Sequence, residues 1–558
     1  MIKLDDMKLK IIVIGGLSAG PSAAAKARRQ NEDADIKLFE KCKNISYATC
    51  GIPYALSGVI KTREKLLVVE TNLLRERFNI DVNLEEEVID IYPLEHKVIT
   101  TRGEYFYDKL IYTVGAKTII PPIKNIEKAK NWSPCRTLED FDKITQKGVL
   151  DKANYVTIMG AGLIGVEVVE NLIELGKKVT LIEGGDGVLP MWESKFRKFA
   201  QNTLETHGVE VITNTFVKEF NVSQGKIFSI PTPLKEVKTD FVIMSVGIKP
   251  NTEMLTNKGA AHIGNGALKV NQKMETSLPD IYAAGDCASI KNILTNEHDY
   301  LPLGTHSNKG GRTAGANAAG GNELFKGGYK TAIIKIFDYT LGRTGLNPDF
   351  MIKNNIDFKT NLVITGATPS YYPNQKDIII ETYYAPHSGK ILGCEAFGEH
   401  GVDKRIDVMS TAIYAGLSIE DLSNLDLAYA PPFSPAKDPV IVTGFVSSNA
   451  YKGGYDEIGC NQLHDLLTNN LENNYQIIDV RNKAEIEKSY MLPGAVHIEL
   501  DTIRVKELLN LNKNKPTIVY CAKGMRGYLS YLLLKDKGFK NIKNLSGGFT
   551  IWDNYIKS

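Results

Sequence analysis

Two cysteines stand in settings suited to sulfur chemistry. Cys50 lies in ISYATCGIPY, a polar stretch punctuated by glycine and proline. A thiol in such a place can be held as a thiolate, the reactive form, although a packed structural thiol is the commoner role for a lone cysteine. Cys521 opens the run CAKGMR, which closes on Arg526. A strand pattern precedes this C-x4-R loop and a helix pattern follows it. A six-residue loop between strand and helix turns several backbone N–H groups onto one point, making an anion nest for a thiolate or persulfide. Phosphatases of related loop design use one residue more to enclose phosphate. The other five cysteines (Cys42, Cys135, Cys287, Cys394 and Cys460) are scattered, and no pair has C-x-x-C spacing. Neither a disulfide framework nor a metal site is expected.

Two glycine clusters could cradle phosphates. Gly160, Gly162 and Gly165 form a full G-x-G-x-x-G between a strand and a helix, and Glu183 ends the next strand. This pattern sets a tight turn, a helix N-terminus facing a pyrophosphate, and a carboxylate for ribose hydroxyls. No arginine follows Glu183 closely, so NADH is expected in preference to NADPH. The first cluster is Gly15, Gly16 and Gly20, with Leu17 where the second glycine would stand and Glu40 ending the next strand. By itself it reads equally well as a dinucleotide site or as a glycine-rich turn.

These residues need elements to hold them. Lys10–Ile14 (KIIVI) is a β-branched strand, an alanine-rich helix runs to about Gln30, and IKLFE is the next strand. The same order recurs about 145 residues later, from Tyr155 to Glu183, which marks two nucleotide-binding domains rather than a solenoid. After about Lys330 come mixed strands (TAIIKIFDYT, DIIIETYYA), a helix near Val402–Ala415 and the proline-rich AYAPPFSPAKDP. Ser447–Tyr455 has the composition of a linker. A smaller α/β pattern follows, with strands at Tyr475–Val480 and Thr517–Tyr520. A length of 558 residues fits three or four domains. A net charge of +2 gives no global basic footprint for nucleic acid. Met1–Lys10 lacks the apolar core of a secretory signal, and no apolar run reaches membrane-spanning length, so a cytoplasmic enzyme is expected.

The segment TSLPDIYAAGD, Thr276 to Asp286, resembles the second FAD signature of the two-dinucleotide-binding flavoprotein disulfide reductases. IYTVGAK (Ile111–Lys117) and IMSVGIKPN (Ile243–Asn251) resemble that family's crossing strands. The resemblance covers roughly residues 8–448. It implies an α/β chain with two Rossmann-like domains: an FAD domain split between 1–118 and 251–330, and an NAD(P)H domain at 119–250. An α+β dimerisation domain at 331–448 and a linker at 449–460 follow. It implies that Asp286 contacts the ribityl chain, and that Gly15, Gly16, Gly20, Glu40, Lys41, Thr113, Gly115, Gly247, Leu303 and Thr305 join it and the second glycine cluster in holding FAD and NAD(P)H.

Most members of this superfamily carry a C-x4-C dithiol. Here the matching positions are Ile45 and Ala55, so Cys50 is alone. S-Y-A-T-C-G at Ser46–Gly51 resembles the S-F-x-x-C motif of coenzyme A-disulfide reductases, with Tyr47 for Phe. NADH peroxidases of this fold place a histidine in the first glycine loop, where this chain has Ser18. Ser22, Lys26, Arg29, Ser46, Thr49, His306 and Lys437 match coenzyme A-contacting positions. Lys and Arg suit a 3′-phospho-ADP group, though each taken singly is ordinary surface charge. A lysine that some members use for coenzyme A falls near Phe78 here, beside Arg77. Tyr429 and Tyr371 (or Tyr372) match tyrosines that reach the partner subunit's active site, implying a homodimer with shared sites.

Asp479-Val480-Arg481, Pro493-Gly494-Ala495, His497, Gly547-Gly548 and Trp552 resemble a rhodanese domain over about residues 460–558, here bounded at 461–558. It implies a Cys521 persulfide carrying sulfane sulfur. The whole order resembles the fusions of coenzyme A-disulfide reductase with rhodanese, including NADH-dependent persulfide reductases. The implied electron path runs from NADH through FAD to a Cys50–S–S–CoA mixed disulfide, with coenzyme A disulfide, coenzyme A persulfide or polysulfide as substrate. The competing readings are an NADH oxidase or peroxidase with a cysteine sulfenic acid, and a redox or sulfide sensor that only binds.

Overall fold

A computed structural model describes residues 8–469, 474–505 and 511–557. The signal-peptide reading of Met1–Lys10 therefore falls mostly outside the described residues. The chain divides into two compact units. One comprises residues up to Asp186 together with Gly208–Tyr329; the other comprises Gly187–His207 and Lys330 onward.

The first unit holds two parallel five-stranded sheets of the same plan. In one, the β-branched strand Lys10–Ile14 pairs in register with Asp35–Glu40 on one side and Lys109–Tyr112 on the other. Asp81–Leu84 and Ile281–Ala283 form its edges. In the other, Tyr155–Met159 pairs with Lys178–Ile182 and Phe241–Met244, and the edges are Glu210–Ile212 and Trp132–Pro134. Strands buried on both faces need apolar runs rather than alternation, which KIIVI and YVTIM supply. Helices Ala19–Gln30 and Leu163–Glu174 follow the central strands. The expected crossing strands pair antiparallel as Ala116–Thr118 with Ile248–Pro250.

The second unit holds an antiparallel five-stranded sheet in the order Ala332–Ile336, Tyr339–Gly345, Ile391–Gly398, Asp377–Tyr384, Lys359–Gly366. Helix Val402–Ala415 covers it and stops at Gly416, whose positive φ of 71° ends the helix with a left-handed residue. A parallel sheet follows, in the order Glu457–Ile458, Ile542–Leu545, Thr517–Tyr520, Gln476–Asp479, Ala495–His497.

Two expectations need correction. The stretch 449–460 is not a linker. Helix Pro439–Tyr451 runs into it, Glu457–Ile458 is a sheet strand, and Cys460 opens the next helix. A two-residue strand is too short to show a period in the sequence. Residues 187–207, assigned to the NAD domain, pack with the second unit instead. The reason is a buried ionic layer at the start of helix Ser194–Thr206. Lys195 Nζ lies 2.6 Å from Glu381 and 3.6 Å from Glu193, whose own backbone N–H donates to Glu395 at 2.9 Å. Arg343 faces Glu395 at 4.0 Å and donates to the Met191 carbonyl. Among the described residues no helix is long and apolar enough to cross a membrane.

This layer pits three carboxylates (Glu193, Glu381 and Glu395) against two cations (Lys195 and Arg343). Burial pushes Glu395 up to about 8, with Arg343 opposing. A group that binds its proton more tightly folded than unfolded favours folding at low pH. That advantage is lost as pH rises from the ordinary value of 4.5 through about 8. The loss is at most roughly 1.4 kcal/mol per pH unit. Melting temperature should therefore fall across this window, and Glu395→Gln, which keeps an acceptor for the Glu193 N–H, should flatten the fall. Parallel melting curves for the two proteins would contradict the assignment.

Candidate active sites

Each parallel sheet of the first unit ends in the same device. Gly15 turns out of its strand at φ 97° and Gly160 at the same angle. A side chain at Gly20 would place its Cβ 1.8 Å from the Gly15 carbonyl oxygen; at Gly165 the distance to the Gly160 oxygen is 2.0 Å. Only glycine allows either helix to start so close to its strand. The strand-end carboxylates then brace the turns. Glu40 accepts from the Gly16 N–H at 2.7 Å, and Glu183 accepts from the Ala161 N–H at 2.7 Å. Thr113 and Ser245 donate hydroxyl bonds to the Gly15 and Gly160 carbonyls.

The two turns differ at one position. Leu17 occupies the place of Gly162, which is extended and where a Cβ would meet no atom within 4 Å. The space there is open, so the fold itself does not demand a glycine at that position. The first turn is thus the same structure as the second. Glu183 also accepts from the Gly185 N–H at 2.7 Å, so backbone donors engage both of its oxygens. Gly115 and Gly247 both take positive φ at the ends of their strands, and Lys41 is exposed beside Glu40.

Asp286 follows the strand Ile281–Ala283 and lies beside helix Gly304–Ala318, which Leu303 precedes and whose second residue is Thr305. Ser307 donates to it at 3.5 Å, and Arg136 forms an ion pair with it at 2.7 Å. Arg136 lies 150 residues away, and no motif announces it.

Cys50 is exposed, on the turn Thr49–Gly51 that leads into helix Ile52–Leu56. Ser46, in a left-handed conformation at φ 46°, donates its N–H to the Gly16 carbonyl at 2.8 Å, tying this segment to the first glycine turn. The short helix rests on the second nucleotide helix: the Tyr54 hydroxyl donates to Glu167 at 3.2 Å and Ser57 to Asn171 at 2.5 Å. Burial pushes Glu167 up to about 7. Sequence reasoning passed over this pair, although Glu167 lies two residues beyond the fingerprint.

Ser22, Lys26 and Arg29 share one face of helix Ala19–Gln30. Ser22 bonds Asn308 at 3.1 Å, Lys26 pairs with Glu323 at 2.8 Å, and Arg29 stacks over Phe78 at 5.9 Å. Phe78, which stands near the place of a lysine in some family members, thus supports an arginine of this helix. Burial lowers the pKa of His306 below the ordinary histidine value.

In the second unit the Tyr371 and Tyr429 hydroxyls lie 3.3 Å apart, both exposed. Tyr372 instead lines a cavity of about 420 Å³ with His400, Lys404, Arg405 and Phe433. One guanidinium organises both tyrosine loops. Arg405, 1% exposed, donates to Ala367 O at 3.1 Å, Phe433 O at 3.5 Å, Ser434 Oγ at 3.3 Å and Asp438 at 2.9 Å. Burial would raise Asp438, but Arg405 and the helix N–H it caps hold it below the usual range. Exposed Lys437 adjoins this lock.

Cys521 is 2% exposed and accepts from the Gly524 N–H at 3.1 Å, as an anion loop should arrange. Arg526 at the loop's end makes two bonds to Glu485, at 2.7 and 2.6 Å. Asp479 and Arg481 form the buried structural pair expected of them, with Tyr520 donating to Asp479 at 2.7 Å and His497 bonded to the Arg481 carbonyl. Gly548, at φ 58°, lies so near the Cys521 carbonyl that no side chain fits.

Comparison with known proteins agrees with this architecture. Residues 9–312 match the family described as pyridine nucleotide-disulphide oxidoreductase, residues 331–439 its dimerisation domain, and residues 463–555 a rhodanese-like domain. A Pyrococcus horikoshii NAD(P)H coenzyme A polysulfide/persulfide reductase is 32% identical over 78% of this chain and 98% of its own. The reduced Bacillus anthracis CoADR-RHD superposes with a TM-score of 0.94 at 35% identity, covering 99% of both chains. An NAD-dependent persulfide reductase from A. fulgidus gives 0.90 at 33%, covering 98% of this chain and 100% of the other. The chain belongs to the pyridine nucleotide-disulphide oxidoreductase family and carries a C-terminal rhodanese-like domain. The family is FAD- and NAD(P)H-dependent, and the two glycine turns with their carboxylates fit two such nucleotides.

The contrast between Gly162 and Gly165 yields a test. Gly165→Ala should lower the melting temperature by several degrees, because its Cβ meets backbone. Gly162→Ala should melt within about 1 °C of the parent yet raise KM for NADH about tenfold, by narrowing the pyrophosphate approach. An unchanged KM in the latter would show that Gly162 does not face the cofactor.

Proposed function

We propose that the enzyme uses NADH to reduce sulfur–sulfur bonds in coenzyme A disulfide, coenzyme A persulfide or polysulfide, with Cys50 as its redox thiol and Cys521 as a sulfane-sulfur carrier. The observation that carries this is the setting of Cys50. It is exposed, without a cysteine at Ile45 or Ala55, and is hung from the glycine turn through Ser46. A bound flavin supplies passage of an electron pair from nicotinamide to sulfur. Gly15, Gly16, Gly20, Glu40, Thr113 and Asp286 would hold it, and Gly160, Gly162, Gly165 and Glu183 the nicotinamide dinucleotide.

The chain's residues do the rest. The Cys50 thiolate attacks one sulfur of the disulfide, forming a Cys50–S–S–CoA bond and expelling coenzyme A thiolate. Tyr371 and Tyr429 of the partner subunit protonate the leaving thiolate. The electron pair from NADH then splits the mixed disulfide, restoring the Cys50 thiolate and freeing the second thiol. Lys26 and Arg29, on the helix face they share with Ser22, hold the phosphates of coenzyme A, joined by Ser46, Thr49, His306 and Lys437. A long, flexible pantetheine arm would carry sulfur between Cys521 and Cys50. The free thiols suit a reducing cytoplasm, and the dimerisation domain suits a homodimer that completes each site.

Mass analysis of the purified protein should find coenzyme A on Cys50; an added oxygen there, with peroxide-dependent NADH consumption, would favour a peroxidase instead. Cys50→Ser should lower coenzyme A disulfide reduction about a thousandfold or more. Cys521→Ser should spare that reaction and slow turnover of coenzyme A persulfide and polysulfide. Undiminished rates on both would end the relay.

A further inference from the structure

The loop Cys521–Arg526 has two cationic side chains, and a carboxylate from outside the loop engages each. Arg526 is held by Glu485, on helix Lys483–Glu487, through two parallel bonds. Glu485 is itself anchored, accepting from the Asn482 N–H at 2.9 Å. Lys523 pairs at 2.5 Å with Asp377, the first residue of a strand in the antiparallel sheet. The contact does not stand alone. A Cβ on Gly547, which adjoins the loop, would lie 2.8 Å from Leu362, and Asn361 bonds Glu457 at 2.9 Å. The loop is thus seated on the antiparallel sheet, and its two positive charges are balanced one for one.

We propose that Asp377 and Glu485 determine which sulfur donor loads Cys521, selecting thiol-borne sulfane sulfur over doubly charged inorganic donors such as thiosulfate. This rests on the reading of Cys521 as a sulfur carrier. Loading is a displacement in which the Cys521 thiolate attacks the outer sulfur of the donor. A Cys521–S bond forms and the bond between outer and inner sulfur breaks. From a thiol persulfide the leaving group is the thiolate R–S⁻; from thiosulfate it is sulfite. No net oxidation occurs in either case.

The two donors ask for different surroundings. A thiosulfate dianion, and the sulfite it releases, need uncommitted positive charge beside the thiol. In this loop Arg526 reaches Cys521 but gives its two terminal nitrogens to Glu485, which offsets its charge and whose carboxyl it holds below the ordinary range. Each carboxylate also repels an incoming dianion. A persulfide at the end of a slender thiol chain brings at most one negative charge to the reacting sulfur, against the two of thiosulfate, and is served by the backbone N–H of Gly524. Cys521 is almost wholly buried, which a narrow chain end can reach.

The test uses the full-length protein with Cys50→Ser, so that only Cys521 reports. Sulfur addition to Cys521 is followed by mass spectrometry with glutathione persulfide and with thiosulfate. The parent should load from the persulfide at least about tenfold faster. Glu485→Gln and Asp377→Asn should each narrow that ratio about tenfold by accelerating thiosulfate loading, an effect that added salt erodes. Should the Glu485 variant lose its fold, the Asp377 variant, outside the loop's own sheet, still carries the test. Equal loading by both donors in the parent, or an unchanged ratio in the variants, overturns the selection while leaving Cys521 a carrier. If neither donor loads Cys521, the carrier reading fails and the selection with it.

Discussion

The carbonyl oxygen of Gly15 lies where a side chain on Gly20 would have to be, and the arrangement recurs at Gly160 and Gly165. That contact fixes how closely each nucleotide helix can follow its strand. It therefore fixes where the helix N-terminus points, and the free N–H groups of a helix's first turn are what a pyrophosphate binds. Much else in the first unit hangs from this approach. Glu40 and Glu183 brace the turns through backbone N–H groups. Ser46 hangs the Cys50 segment from Gly16. Helix Gly304–Ala318, which sets the surroundings of Asp286, also packs against Ala19 and Ala23 through glycines, at Gly311 and Gly315.

The second unit is organised by buried charge rather than by missing side chains. Lys195 is held between Glu193 and Glu381, and Arg343 faces Glu395, so residues 187–207 are tied to the antiparallel sheet. Removing such charges from water is costly, and a buried pair adds little net stability over an apolar contact. Its value lies in specificity: a misplaced helix would leave a buried ion unpaired. Arg405 works the same way at the tyrosine loops, where no apolar side chain could satisfy three carbonyl and hydroxyl oxygens and a carboxylate together. The sheet thus receives a helix from one side and positions two exposed tyrosines by the same means.

Features with a short-range physical cause were legible in the sequence. The glycine turns, their strand-end carboxylates and the Cys521 loop each depend on residues close along the chain. What escaped depends on distant partners. Arg136 meets Asp286, Asp377 meets Lys523, and Lys195 meets Glu381 because tertiary packing brings them together, and a surface-type Lys or Asp gives no sign of such a partner. The linker reading of 449–460 failed for a related cause. Glycine, serine and asparagine there suggest a break, yet Tyr455 is buried and Ile458 sits in a sheet formed with residues 542–545.

The two thiols face opposite physical problems. Cys50 stands exposed on a turn, open to a bulky disulfide and equally open to water and oxidants. Protection there has to come from what occupies the site, so a thiol held as a mixed disulfide is safer than one left free. Cys521 lies buried and accepts from the Gly524 N–H, a setting that can stabilise charge on an added sulfur while excluding most competitors. Burial limits who can reach it, and the loop's two cations are paired with Glu485 and Asp377. Under the proposed function, a chain that both reduces and stores sulfur would gain from separating the tasks, because one thiol cannot be at once accessible enough for the first and sheltered enough for the second.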